Sequence, residues 1–133
     1  MDDSTPPPAI LLTDHDPLVL ALLAYYVGQV APDYSVVTAA TGQRALHCMA
    51  EQRVRLLITD YLLPDMDGLQ LAAFVKHIAP ATYVILASAD DSPVFRQQLR
   101  AQSVDLFLPK QDIVARLGDV LRSVLLGEQE LQL

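Results

Sequence analysis

Asp14, Asp60, Ser88 and Lys110 each stand at or just past the end of a short apolar run, in Ala9–Thr13, Leu56–Thr59, Thr82–Ala87 and Asp105–Leu108 respectively. Together they are the residue types that handle phosphoryl groups. A carboxylate nucleophile accepts the group and becomes an acyl phosphate. The group in transit is anionic, so it needs cations and hydrogen-bond donors around its oxygens. A divalent metal held by carboxylates, a lysine acting as a point charge and a hydroxyl meet that need. Taken singly, each residue has a plainer explanation. Asp60 serves equally as a turn residue or helix cap, and Lys110 as a solvated loop lysine.

The elements that must position them alternate along the chain. Strands are expected at Ala9–Thr13, Tyr34–Ala39, Leu56–Thr59, Thr82–Ala87 and Asp105–Leu108. These runs are short and rich in aliphatic residues, as strands buried on both faces are. Helices are expected at Pro17–Val30, with Asp16 as N-cap and Pro17 at the first position, and from Thr41-Gly42-Gln43 to Gln52. Further helices are expected at Gly68–Ile78, at Pro93–Gln102, and from a cap at Asp112 to Leu126. This βα alternation implies an α/β fold, a five-stranded parallel sheet with five helices, doubly wound. Right-handed crossovers then bring the ends of the strands carrying Asp14, Asp60, Ser88 and Lys110 to one rim. Ligands bind at that rim in open sheets of this kind.

The chain has 133 residues, 52% of them hydrophobic and 19% charged, which describes one folded domain. Residues 1–8 read as a flexible, Pro-rich tail, 9–127 as the domain, and 128–133 as a C-terminal tail or the start of a linker. The net charge of −7, with scattered Lys and Arg, argues against direct nucleic-acid binding. The single Cys48 cannot form an internal disulfide and fits a reducing cytoplasm. The longest apolar run, Leu18–Val27, is shorter than the roughly 18 residues of a membrane span and does not resemble a signal peptide. It is nevertheless apolar all round, so a helix there must leave an apolar face outward.

The segment Asp60-x-x-x-Pro64-x-Met66-Asp67-Gly68 resembles the phospho-acceptor segment of response regulator receiver domains from two-component signalling. Ile10-Leu-Leu-Thr-Asp14 is similar to the family's first strand and Gly42-x-x-Ala45-Leu46 to its second helix. Val84-Ile-Leu-Ala-Ser88-Ala89 and Phe107-Leu-Pro-Lys110 match its fourth and fifth strands. The resemblance implies a flavodoxin-like receiver fold and phosphorylation of Asp60 by a histidine kinase or phosphotransfer protein. It implies that Ser88 and Lys110 contact the phosphoryl group and that Phe107 is the aromatic switch. Mg²⁺ would be held by Asp14, Asp60 and the backbone carbonyl of Leu62. Leu62 and Asp90 would tune dephosphorylation. The apolar first helix would dock the phosphotransfer partner or a second copy, and an effector domain, downstream or fused, would carry the output. Such a module is a self-phosphorylating switch rather than a turnover enzyme.

The chain departs from the pattern at His15, where the family usually has a second acid that ligates the metal. Imidazole suits Zn²⁺ or Mn²⁺ better than Mg²⁺, so His15 is a doubtful metal ligand and Mg²⁺ binding is expected to be weakened. Gln111 replaces the proline that often follows the lysine, so no cis Lys–Pro bond can form there. Two further readings compete. One is a degenerate receiver that binds partners without phosphorylation. The other is a small phosphatase of the haloacid-dehalogenase type built on Asp14-x-Asp16, which lacks the Gly-Thr expected next and leaves Asp60 unexplained.

Overall fold

The computed structural model describes residues 6–90, 92, 95, 97 and 103–131. Five parallel strands, β1 (Ala9–Thr13), β2 (Ser35–Ala39), β3 (Val54–Asp60), β4 (Tyr83–Ser88) and β5 (Leu106–Pro109), form one sheet in the order β2-β1-β3-β4-β5. The order reverses between β1 and β3, so the strand ends that carry Asp14 and Asp60 flank the switch point of the sheet.

Alternation along the strands divides the core in two. Ile10, Leu12, Leu56, Ile58, Ile85 and Leu108 pack with Leu20 and Val27 of α1 (Pro17–Val30) and with Leu117, Leu121 and Leu125 of α4 (Ile113–Leu131). Leu11, Leu57 and Val84 face the other way. They meet Ala45 and Met49 of α2 (Gly42–Glu51) and Leu71, Ala72 and Val75 of α3 (Gly68–Ile78). Side chains on a strand point alternately to opposite faces, so unbroken apolar runs are what a sheet covered on both faces requires.

The helix starts follow their caps. The Asp16 carboxylate accepts the Leu18 N–H at 2.9 Å, and Thr41 Oγ1 accepts the Arg44 N–H at 3.0 Å. Asp67 and Gln70 form a reciprocal capping box at the start of α3.

Some boundaries differ from the sequence expectation. β3 begins at Val54, two residues early: Val54 pairs with Ala9 of β1, and Arg55 is accommodated in the strand with its guanidinium donating to the Val124 carbonyl of α4 at 2.8 Å. Asp105 lies outside β5. Its carboxylate accepts the Val84 N–H at 2.8 Å and pairs with Lys76 at 2.6 Å. Asp112 closes a 3-10 turn (Lys110–Asp112) before α4, and α4 continues past Leu126 to Leu131. Glu and Gln are good helix formers, and Glu128, Gln129 and Glu130 follow Gly127 in the sequence. The helix expected at Pro93–Gln102 lies outside the described residues apart from Phe95 and Gln97, both helical, so four α-helices appear among the described residues rather than five. No helix among those residues is long and apolar enough to cross a membrane.

Candidate phosphoryl-accepting site

The rim gathers the expected groups. Asp14 follows β1, Asp60 ends β3, Ser88 ends β4, and Lys110 follows β5. Asp14 is 2% exposed and Asp60 5%, so both carboxylates are removed from most of their water. Burying two acids together is costly unless charge partners are present. Lys110 is such a partner. Its Nζ lies 3.1 Å from Asp14 Oδ2 and 3.1 Å from Asp60 Oδ1. Burial alone would lower the Lys110 pKa, but hydrogen bonds and charge from Asp14 and Asp60 more than reverse this and leave it raised.

His15 supplies a second nitrogen on the other side of the acids. Its Nδ1 is 3.2 Å from Asp60 Oδ2 and 3.6 Å from Asp14 Oδ1. Each carboxylate thus presents one oxygen to Lys110 and the other to His15. Asp14 Oδ1 also accepts the Asp16 N–H at 2.9 Å. Asp14, His15 and Asp60 each offer a ligand atom within 4.8 Å of the others, so the cluster is sized for a metal ion. Its chemistry fits Mg²⁺ only in part. Two carboxylates suit that ion, whereas the third donor is a nitrogen and Mg²⁺ takes oxygen.

Ser88 reaches the rim, but its hydroxyl accepts the Asp90 N–H at 3.1 Å. Asp90 in turn accepts the Ser92 N–H at 2.9 Å, which makes it a turn-forming acid. Leu62 is 66% exposed beside the site and forms an isolated bridge with Asp67. Phe107 is half-buried, its ring 5.6 Å from that of Phe95. Asp16 is engaged as the N-cap of α1 and stands outside the acid cluster, contrary to the dehalogenase-like alternative.

Several contributors are invisible in a linear reading. Tyr61 packs edge-on against Phe95 at 5.0 Å, so an aromatic chain links the residue after Asp60 to Phe107. The Asp65 carboxylate accepts the N–H groups of Gly42 and Gln43 at 2.8 and 2.9 Å, tying the loop after β3 to the start of α2. Those donors hold the Asp65 carboxyl below its usual pKa. Gly68 donates to the Tyr61 carbonyl at 2.6 Å, and a Cβ at position 68 would lie 2.5 Å from the Asp60 carbonyl oxygen. A glycine is therefore required for α3 to start this close to the acceptor strand.

A groove of about 450 Å³ opens onto the site, with Asp14, Asp60 and Lys110 at its polar end. Leu22, Tyr26 and Val114, from α1 and α4, line its walls. Leu18, Leu22 and Tyr25 are 66%, 63% and 71% exposed, so α1 does turn an apolar face outward. A larger groove of about 630 Å³ lies near Arg53 and Thr82, at the opposite end of the strands from these acids.

Comparison with known proteins agrees with this geometry. Residues 10–122 match the family described as "Response regulator receiver domain". The chain is 36% identical over 104 residues to the transcriptional regulatory protein GlrR of Escherichia coli (strain K12), covering 78% of this chain and 23% of GlrR. It thus spans about a quarter of that relative's length. It is 34% identical over 92 residues to the two-component response regulator ORR3 of Oryza sativa subsp. indica, covering 67% of this chain and 68% of ORR3. Among solved structures, the chemotaxis protein CheY4 of Vibrio cholerae superposes with a TM-score of 0.78 at 23% identity, covering 88% of this chain and 98% of that one. TrrA of Thermotoga maritima, solved in complex with Mg(2+)-BeF, gives a TM-score of 0.77 at 23% identity, covering 88% and 98%.

Proposed function

The chain belongs to the response regulator receiver domain family of two-component systems, and from that premise we propose that Asp60 is its phospho-acceptor. Phospho-acceptance is the role of that family; the assignment to Asp60 is carried by one observation. Asp60 is the buried carboxylate that ends β3 and shares Lys110 with Asp14.

In the transfer, an Asp60 oxygen attacks the phosphorus of a phosphohistidine on a histidine kinase or phosphotransfer protein. The P–N bond breaks, its electron pair stays with the leaving imidazole, and an acyl phosphate remains on Asp60. Lys110 donates to the oxygens that accumulate charge. Ser88 leaves its Asp90 N–H partner and turns to the phosphoryl group, and Phe107 follows within the aromatic chain of Tyr61 and Phe95. The stored charge shifts a two-state equilibrium that a partner or effector domain reads.

The same atoms act on themselves once per cycle, so the chain works as a switch rather than a turnover enzyme. Bound Mg²⁺ supplies positive charge to the phosphoryl oxygens. Asp14, Asp60 and the Leu62 carbonyl would hold it, weakly because His15 replaces an acid. The partner enters over α1, whose outward face carries Leu18, Leu22 and Tyr25, and whose Leu22 also lines the groove. Leu62 and Asp90 tune the lifetime of the adduct. We assign residues 9–127 to the receiver unit, 1–8 to a tail and 128–133 to a tail or linker, with a cytoplasmic setting. A degenerate, unphosphorylated receiver is disfavoured by the retention of Asp14, Asp60, Ser88 and Lys110.

Incubation with acetyl phosphate and Mg²⁺ tests the proposal. A covalent adduct is expected on the wild type and on Leu62→Asn, and none on Asp60→Asn. Failure of the wild type to form one under any divalent ion supports the degenerate reading instead.

A further inference from the structure

His15 sits where its nitrogen faces the two carboxylate oxygens that Lys110 does not use. Lys110 Nζ takes Asp14 Oδ2 and Asp60 Oδ1, whereas His15 Nδ1 faces Asp14 Oδ1 at 3.6 Å and Asp60 Oδ2 at 3.2 Å. The lysine therefore orients both acids without occupying the side on which the imidazole stands. Tetrahedral zinc with ligand bonds of about 2.0–2.1 Å holds neighbouring donors about 3.3 Å apart. Octahedral Mg²⁺, with bonds of similar length, sets adjacent donors about 2.9 Å apart and demands oxygen. The two distances from the imidazole, 3.2 and 3.6 Å, lie nearer the first spacing, and the nitrogen donor favours that geometry. His15 is 54% exposed, so a fourth position is open to water.

We propose that Asp14, His15 and Asp60 form a three-ligand site for a borderline divalent transition ion, zinc foremost, in preference to Mg²⁺. The inference rests on the reading of this rim as the cation-binding end of the phospho-acceptor site. It assigns to His15 the selectivity of that site. Imidazole and carboxylate together suit ions late in the first transition row. In vivo such an ion competes with a large excess of Mg²⁺, and His15 is the donor that discriminates between them.

The test is titration calorimetry of the full chain with Zn²⁺ and, separately, Mg²⁺. His47→Gln serves as the background, because the exposed His47–Glu51 pair, 3.4 Å apart, offers zinc a second binding place. The expected result is tighter binding of Zn²⁺ than of Mg²⁺. His15→Ala is expected to weaken Zn²⁺ by about tenfold or more, since even outer-sphere partners of metal ligands are worth that much. His15→Asp is expected to strengthen Mg²⁺ binding. Zinc affinity unchanged in His15→Ala, or Mg²⁺ bound as tightly as Zn²⁺ by the parent, overturns the proposal. Adduct formation with acetyl phosphate on the same samples keeps the two readings apart. His15-dependent zinc binding without an adduct overturns the acceptor role of Asp60 and leaves the metal site standing. An adduct with His15-independent zinc binding does the reverse.

Discussion

Removing Lys110 probes how the paired acids are kept in the fold. At 3.1 Å, each of its two contacts, to Asp14 and to Asp60, is worth about 5 kcal/mol of Coulomb attraction at an effective dielectric constant of about 20. Most of that is offset by taking the charges out of water, yet breaking a buried pair still costs about 3–5 kcal/mol because the partner is left uncompensated. The Lys110 side chain is 29% exposed and His15 remains beside Asp60, so solvent and imidazole recover part of the loss. Lys110→Ala is therefore expected to destabilise the fold by about 2 kcal/mol.

The pH dependence has a fixed sign. The folded pKa of Lys110 lies above its unfolded value of about 10.4. The stabilisation it represents is fully present below that unfolded value and is lost as pH rises through the folded one. Urea unfolding of the wild type and Lys110→Ala should show a gap that is constant from neutral pH to about pH 10 and narrows above it. Equal midpoints at neutral pH would refute the claim that Lys110 compensates the buried acids. A gap that widens above pH 10 would refute the assigned cause.

Other substitutions report on separate parts of the account. Gly68→Ala places a methyl 2.5 Å from the Asp60 carbonyl oxygen and 2.6 Å from Leu86 Cδ1. It should lower stability by about 1–3 kcal/mol, as overpacking does, and slow adduct formation, both read from thermal unfolding and intact mass. Leu62→Asn changes an exposed side chain, so stability should move by no more than about 0.5 kcal/mol while the adduct hydrolyses faster. An unchanged hydrolysis rate would show that Leu62 does not shield the phosphoryl group from water. Burial raises the Cys48 pKa, with Glu51 adding to the effect and Arg44 opposing it. A thiol reagent at pH 8 should therefore label Cys48 slowly in the native protein and rapidly in denaturant.

The chemistry-bearing residues were legible because each followed a run whose length and composition mark a buried strand. Asp14, Asp60, Ser88 and Lys110 needed only right-handed crossovers to reach one rim. The division of the core followed from alternation, since Ile10 and Leu12 had to face away from Leu11. What stayed hidden depends on contacts between distant positions. Nothing in the linear order says that Asp65 satisfies N–H groups at Gly42 and Gln43, or that Phe95 sits between Tyr61 and Phe107. His15 was visible as an exception. Its placement opposite Lys110, across both carboxylates, is set by the fold. Ser88 had the expected identity and position, but its hydroxyl is spent on the local turn with Asp90, a competition that composition does not predict.

The central claim is that Asp60, among the acids gathered at this rim, receives the phosphoryl group. Borohydride reduction of the acetyl-phosphate-treated protein converts an aspartyl phosphate to homoserine, and peptide mass spectrometry locates it. Homoserine is expected at position 60 and unmodified aspartate at 14, 65, 67 and 90. Homoserine at any of those four positions, or none at 60 in protein that carries the adduct, would contradict it.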